Sequence, residues 1–327
     1  MFRSRQRFAG EPCPQPVGRR RLSRFGGSRL HRLNSDGSLR RFPCFGGKHG
    51  RQLAGLLFLL PGFAGIAVFY LIPFGDVVRR SFLQASGGVF CGMENYRTVL
   101  GNGAFLLAAK NTARFVLVCL PLLLLLSLFL ALLVNGLSMR LKTLFKSAFL
   151  LPMAIPAASV VLLWKVMFDV HGFVNGLLAL AGISPVDWMN SGAAFAVLVF
   201  SYIWKNLGYT LVLWLAGLSS VPQGVYEAAQ IDGAGRLAGF FRITLPLMKP
   251  MIFTIVVLSL LNSFKVFREA YLVSGNYPQE QIYLLQHLFN NWFVDLSIDK
   301  MAAGSVLLAL IIAAIVTTLQ RCWEEEG

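Results

Sequence analysis

Acidic side chains are scarce in this chain. Its 327 residues hold 15 Asp and Glu against 30 Lys and Arg, and charged residues of both signs make up only 14%. Soluble domains carry nearer a quarter, so a wholly water-facing surface cannot be drawn from this composition. Cysteine is equally thin: Cys13, Cys44, Cys91, Cys119 and Cys322 show no paired or metal-like spacing, and their odd number argues against a disulfide framework. The four histidines, His31, His49, His171 and His287, have no ligating neighbour at helical spacing and read as ordinary loop residues. A phosphate-cradling loop, G-x-x-x-x-G-K followed by Ser or Thr, is missing as well, since Gly46, Gly47 and Lys48 lack both the upstream Gly and the hydroxyl residue. The chain is therefore expected to bind no cofactor or metal and to hydrolyse no ATP itself.

Apolar length is what it has in abundance. With 56% hydrophobic residues and a mean hydropathy of +0.62, it reads as an all-α, polytopic membrane protein. The net charge of +15 belongs mainly to one end: residues 1–51 hold 13 Lys and Arg against Glu11 and Asp36, a net +11, leaving +4 for residues 52–327. Rich in Arg, Gly and Pro and without periodicity, that stretch reads as a disordered tail. Three readings of it compete: a cytoplasmic anchor that fixes orientation and touches anionic lipid, a nucleic-acid-binding arm, or a wrongly assigned translation start. The anchor is preferred, and no nucleic-acid partner is expected.

Six spans follow, over residues 52–72, 115–134, 147–164, 191–218, 251–271 and 301–320, each about long enough to cross roughly 30 Å of hydrocarbon. A signal peptide is rejected for the first, because its apolar run is too long and no small-residue cleavage site follows. Residues 74–114, with an amphipathic helix over 95–107, then lie outside with 168–190 and 273–300. Arg140, Lys142 and Lys146 mark an acid-free cytoplasmic loop; both termini, including the tail 321–327, face the cytoplasm. Arg79 and Arg80, at the outer end of the first span, run against that charge rule. Pro152 and Pro156 predict a kink or unwound turn in the third span.

The polar interruption between the fourth and fifth spans, residues 219–250, is longer than most helix connections. Good helix formers fill residues 225–231, and Asp232 and Gly233 then offer a turn at which Gly can take a positive backbone angle. From Ala234 a second helix is expected, with Leu237, Phe240, Phe241 and Leu245 as its apolar stripe and Asp232 as its possible cap. A superficial likeness to the D-G-x-x-A-R motif of membrane phosphatidyltransferases begins at Asp232. That chemistry needs further aspartates downstream, and the next acid is Glu269 across a span.

Glu227, Ala228 and Ala229, then Gly233 after three intervening residues, then Ile243, Thr244, Leu245 and Pro246 after nine more, fall in register with the E-A-A loop of ABC importer permeases. The chain resembles that family from about Leu56 to Gln320, most strongly at this loop, and more weakly through Asn95 and Tyr96, Asn111 and Thr112, and the Pro152 to Pro156 segment. The E-A-A-Q-I-D-G-A form resembles the sugar-importing branch that includes the maltose and glycerol-3-phosphate permeases. The resemblance implies a type I permease domain over residues 52–320. It implies as partners a second permease subunit, two ATP-binding cassette subunits that use the ATP, an external solute-binding protein and membrane lipid. It places ATPase coupling at Glu227, Ala228, Ala229, Asp232, Gly233 and Ala234. Asn262, Lys265 and Glu269, spaced i, i+3, i+7 on one helix face, with Lys205 and Asn206 on the preceding span, are the candidate substrate path. The alternative for Lys265 and Glu269 is a structural i, i+4 ion pair. A secondary transporter or channel would show the same spans and intramembrane charges, without needing the E-A-A loop.

Overall fold

The computed structural model describes residues 48–85, 87–274 and 278–324, all of whose regular structure is helical. Most of the basic tail thus lies outside the described residues. Two compact units divide at Gly65 and Ile66. The described part of the first is the helix α1 (Lys48–Ile66), which reaches the division. The second holds everything else: a π-turn at Ala67–Leu71, then α2 (Ile72–Arg80), α3 (Glu94–Leu100), α4 (Gly103–Asn135), α5 (Met139–Ala154), α6 (Ala157–Met167), α7 (Phe173–Leu180) and α8 (Ala194–Ser220). After these come α9 (Gln223–Ile231), α10 (Arg236–Gly239), α11 (Leu245–Leu247), α12 (Lys249–Ser263), α13 (Phe267–Ser274), α14 (Leu285–Val294) and α15 (Ile298–Glu324).

Four helices among the described residues are long and apolar enough to cross a membrane: Leu57–Arg80, Gly103–Asn135, Ala194–Ser220 and Ile298–Trp323. Two bent pairs bring the number to six. The first pair is α5 with α6, bent by 91°. Ile155 is extended there and Pro156 precedes α6, so the prolines break the third span where their missing donors and ring clashes require it.

Several sequence boundaries move. The first span continues to Arg80 rather than stopping at residue 72, and Arg79 and Arg80 face Asp76 at 3.6 and 2.6 Å, an internal partner for the cations that had looked misplaced. The amphipathic helix expected over 95–107 is two helices. Asn102 separates them, accepting a hydrogen bond from the Phe105 N–H at 3.1 Å as the N-cap of α4. α4 therefore runs through Lys110 and Arg114, charges that the sequence reading placed outside the span; the Arg114 guanidinium sits 4.4 Å from the centre of the Phe195 ring. The fifth span loses its α-helical path at a 3-10 turn, Phe264–Val266.

α8 is the axis of the second unit, packed against α4, α5 and α12. Small residues allow it. A side chain at Gly208 would run into the Phe149 carbonyl of α5, so the two backbones meet there directly. A side chain at Gly217 would meet Met248 and Met251. Polar links between helices hold the rest: Trp164 Nε1 donates to Ser201 Oγ at 2.8 Å and Trp214 Nε1 to Ser127 Oγ at 3.0 Å.

At the end of the unit away from α9, residues 278–284 form a strap that is not α-helical and leads into α14. Ile282, Tyr283, Leu284 and Leu285 are buried, and irregular backbone can lie at that depth only with its polar groups satisfied. Asn111 of α4 donates through its amide to the carbonyls of Glu280 and Tyr283, and the next residue, Thr112, accepts from the Leu285 N–H at 3.0 Å. His287 is a correction: it is fully buried, not an ordinary loop residue. Its Nδ1 accepts from the Leu284 N–H at 3.2 Å, while Nε2 has no partner among the described residues.

Candidate functional site

The connection between α8 and α12 is a helix, a turn and a second helix. Val221 and Pro222 end α8 in extended backbone, and the Pro222 carbonyl accepts from the Val225 N–H as α9 starts. At the far end Gly233 has φ +76°. The Gly233 N–H donates to the Gln230 carbonyl at 3.1 Å and the Ala234 N–H to the Ala229 carbonyl at 2.9 Å, the paired bonds of a Schellman cap whose crossing point favours glycine. Asp232 is the C-terminal cap of α9, not the N-cap of the helix beyond, which opens at Arg236. That was the alternative role for it, and the position does not fit.

The second helix runs from α10 through a π-turn, Phe240–Thr244, into α11. A π-turn inserts an extra residue per turn and shifts the side-chain phase. The expected stripe is split accordingly: Phe240 and Leu245 are half-buried, whereas Leu237 and Phe241 are exposed. Thr244, inside the I-T-L-P signature, is buried, and its hydroxyl lies 3.2 Å from the Tyr226 hydroxyl and 3.4 Å from the Gly239 carbonyl. Its one proton serves either acceptor, so the two helices of the loop are tied through Tyr226 and Thr244. Neither residue was singled out from sequence.

The face this leaves outward is mixed. Glu227, Ala228, Asp232 and Gly233 are exposed, Ala229 and Ala234 half-buried, and Ile231 and Leu237 stand 86% and 76% exposed. All six residues of the candidate coupling set thus gather on one short helix and its cap.

The membrane-depth candidates assemble differently from expectation. Tyr202 on α8 donates to the Ser259 carbonyl on α12 at 3.1 Å, and Ser259 Oγ is buried with no partner among the described residues. α8 enters the loop and α12 leaves it, so the two run antiparallel. Asn206, one turn beyond Tyr202 toward the loop, and Asn262, one turn beyond Ser259 away from it, flank this crossing about 10 Å apart along the axis. The Asn206 amide donates to the Tyr202 carbonyl of its own helix at 2.8 Å; Lys205 and Asn262 are half-buried. The side chains of Lys265 and Glu269 lie outside the described residues. Their backbones stand on either side of the change from 3-10 turn to α13, so the i, i+3, i+7 face drawn for them with Asn262 presupposed a regular helix that the backbone does not keep. Tyr202 and Ser259 were missed; the signal for the second was a Ser, Asn, Ser cluster at 259, 262 and 263 in an apolar run.

No three His, Cys, Asp or Glu side chains among the described residues come together to hold a metal ion. Asp232, where the phosphatidyltransferase likeness begins, lies exposed at the turn after α9.

Residues 123–322 match the family model described as binding-protein-dependent transport system inner membrane component. The arabinooligosaccharides transport system permease protein AraP of Bacillus subtilis is 31% identical over 281 residues, 83% of this chain and 88% of its own length. The sn-glycerol-3-phosphate transport system permease protein UgpA of Yersinia pestis is 32% identical over 79% of this chain and 90% of its own. The trehalose/maltose transport system permease protein MalF of Thermococcus litoralis is 31% identical over 71% and 80%. In fold, the chain is similar to a solved bacterial ABC transporter involved in the import of the acidic polysaccharide alginate, with a TM-score of 0.72 at 23% identity over 84% of this chain and 96% of that one. This multi-pass membrane chain, a transport subunit rather than an enzyme, belongs to the family of binding-protein-dependent transport system inner membrane components, the permeases of ABC importers.

Proposed function

We propose that this chain is one of two permease halves of an ATP-driven importer for a sugar, oligosaccharide or similarly hydroxyl-rich solute, and that the segment 223–234 couples it to a separate ATPase. The observation that carries the reading is the Schellman-capped α9. A glycine-dependent turn fixes a short helix whose exposed side chains are a carboxylate, small alanines and large apolar residues, a surface suited to a partner's cleft. In this reading the loop and both termini face the cytoplasm. ATP binding closes the ATPase pair, α9 moves with it, and the helices rock between inward-open and outward-open states. Coupling requires that the contact differ between the two states, because a partner that binds both equally shifts neither. A solute-binding protein delivers its cargo to the opposite face. AraP and MalF, named for sugar transport, support a sugar; UgpA keeps a phosphorylated polyol within the class.

Gly233→Val tests the coupling. A β-branched residue at φ +76° is strained, so stimulated ATP hydrolysis in the reconstituted complex is expected to be abolished while the chain still inserts; full stimulation would remove the loop from this role. A secondary transporter is separated from this reading by purification, since only the ABC permease brings an ATPase with it. For the path, Asn262→Ala and Lys265→Gln are each expected to lower uptake at normal yield and intact basal hydrolysis. Unchanged uptake in both, or loss of assembled protein instead, would take them out of the site.

A further inference from the structure

We propose that the turn between α4 and α5 binds the headgroup of an anionic phospholipid. Arg140, Lys142 and Lys146 lie within the first eight residues of α5, and between Glu94 and Asp169 the chain contains no acidic residue. Lys142 donates to Asn135 Oδ1, a neutral partner, at 3.0 Å. Neither Arg140 nor Lys142 nor Lys146 forms an ion pair with a carboxylate among the described residues. Helix stability does not account for them. The first turn of a helix favours acids, and Lys142 and Lys146, at i and i+4, repel each other. Interleaved with the three cations or beside them stand Met139, 76% exposed, and Leu144, 63% exposed, with Leu141 and Phe145 also exposed. Cations alternating with bare apolar side chains at the end of a membrane helix match the boundary of a bilayer: the apolar groups enter the acyl region and the long cationic stems reach the phosphate. A free anion in water would need the cations and leave the apolar groups without a reason.

The test uses the full chain with its native cysteines replaced by serine and a fluorophore on Leu137→Cys, reconstituted in vesicles of phosphatidylcholine with some phosphatidylglycerol. Local quenching by bromine-labelled phosphatidylglycerol, relative to bromine-labelled phosphatidylcholine, gives the lipid preference at this turn alone and so excludes the basic tail. The unmodified turn is expected to prefer the anionic lipid, with a loss of about fivefold per cation removed and on the order of a hundredfold for R140Q, K142Q and K146Q together. R140Q alone, at an exposed position, keeps the question answerable if the triple variant folds poorly. Equal quenching by both lipids, or a preference untouched by the substitutions, would overturn the proposal. So would displacement by millimolar inorganic phosphate, which would mark a free-anion site, or loss of a bound ATPase subunit at unchanged lipid preference, which would mark a protein contact.

Discussion

Residues 222–247 and residues 278–292 both depart from the plain spanning helices, and they treat most of their large apolar side chains in opposite ways. The first segment exposes Glu227, Ala228, Ile231, Leu237 and Phe241, and ties its two helices together chiefly through Tyr226 and Thr244. The second buries Ile282, Tyr283, Leu284, Leu285, Leu288 and Trp292 and fastens its backbone to side chains of α4 and α14. A buried segment with its backbone groups bonded is fixed by the fold. A segment that leaves large apolar groups in the open is held by fewer contacts of its own. The same protein thus has one irregular segment packed into its fold and another that stands clear of it.

That contrast can be tested through stability, ranked from the largest expected change. Burial pushes the His287 imidazole down to about 4 from its usual 6.5. Because the folded state resists the proton that the unfolded chain accepts, the stability is fully present above about pH 6.5 and is lost as pH falls toward 4, by about 3 kcal/mol in all. Thermal melts of the purified chain across that range should show the loss, and His287→Leu should flatten the profile. A profile equally steep in the variant would place the pH response elsewhere.

Asn111→Leu removes two bonds to the strap, worth about 1–3 kcal/mol together. It should lower the melting temperature and raise the labelling rate of a cysteine placed at Leu284; unchanged labelling would mean the strap is held without Asn111. Tyr226→Phe takes one hydroxyl from the loop and is expected to cost about 0.5–1.5 kcal/mol, measurable by the same melts. Smallest of all should be Ile231→Ser, within about 0.5 kcal/mol for a surface position, although it is expected to weaken stimulated ATP hydrolysis in the assembled complex. A stability loss as large as that of Asn111→Leu would show that Ile231 is packed rather than presented.

What could be read from the residues follows how far apart the interacting groups lie. Spans were legible because an uncharged run of about 20 residues announces itself, and the break at Ile155 because Pro152 and Pro156 stand beside it. Gly233 was legible because a turn after good helix formers needs a positive φ. The strap was not: Asn111 meets Glu280 and Tyr283 across some 170 residues, and nothing local in either stretch records that pairing. Tyr202 and Ser259, 57 residues apart, were hidden for the same reason. The 3-10 turn at Phe264–Val266 contains neither Gly nor Pro, so no residue marked it, and the charges of Lys110 and Arg114 concealed how early α4 begins.

The bare contact at Gly208 makes α8 and α5 neighbours without any cushioning side chain. Side chains can change rotamer and absorb a small displacement; two abutting backbones have no such slack. α8, to whose end α9 is joined by only two residues, is therefore held to α5 at a fixed spacing at Gly208. Beyond that point the chain turns by 91°, and α6 is fastened to α8 again through Trp164 and Ser201, so one helix grips both arms of the broken span.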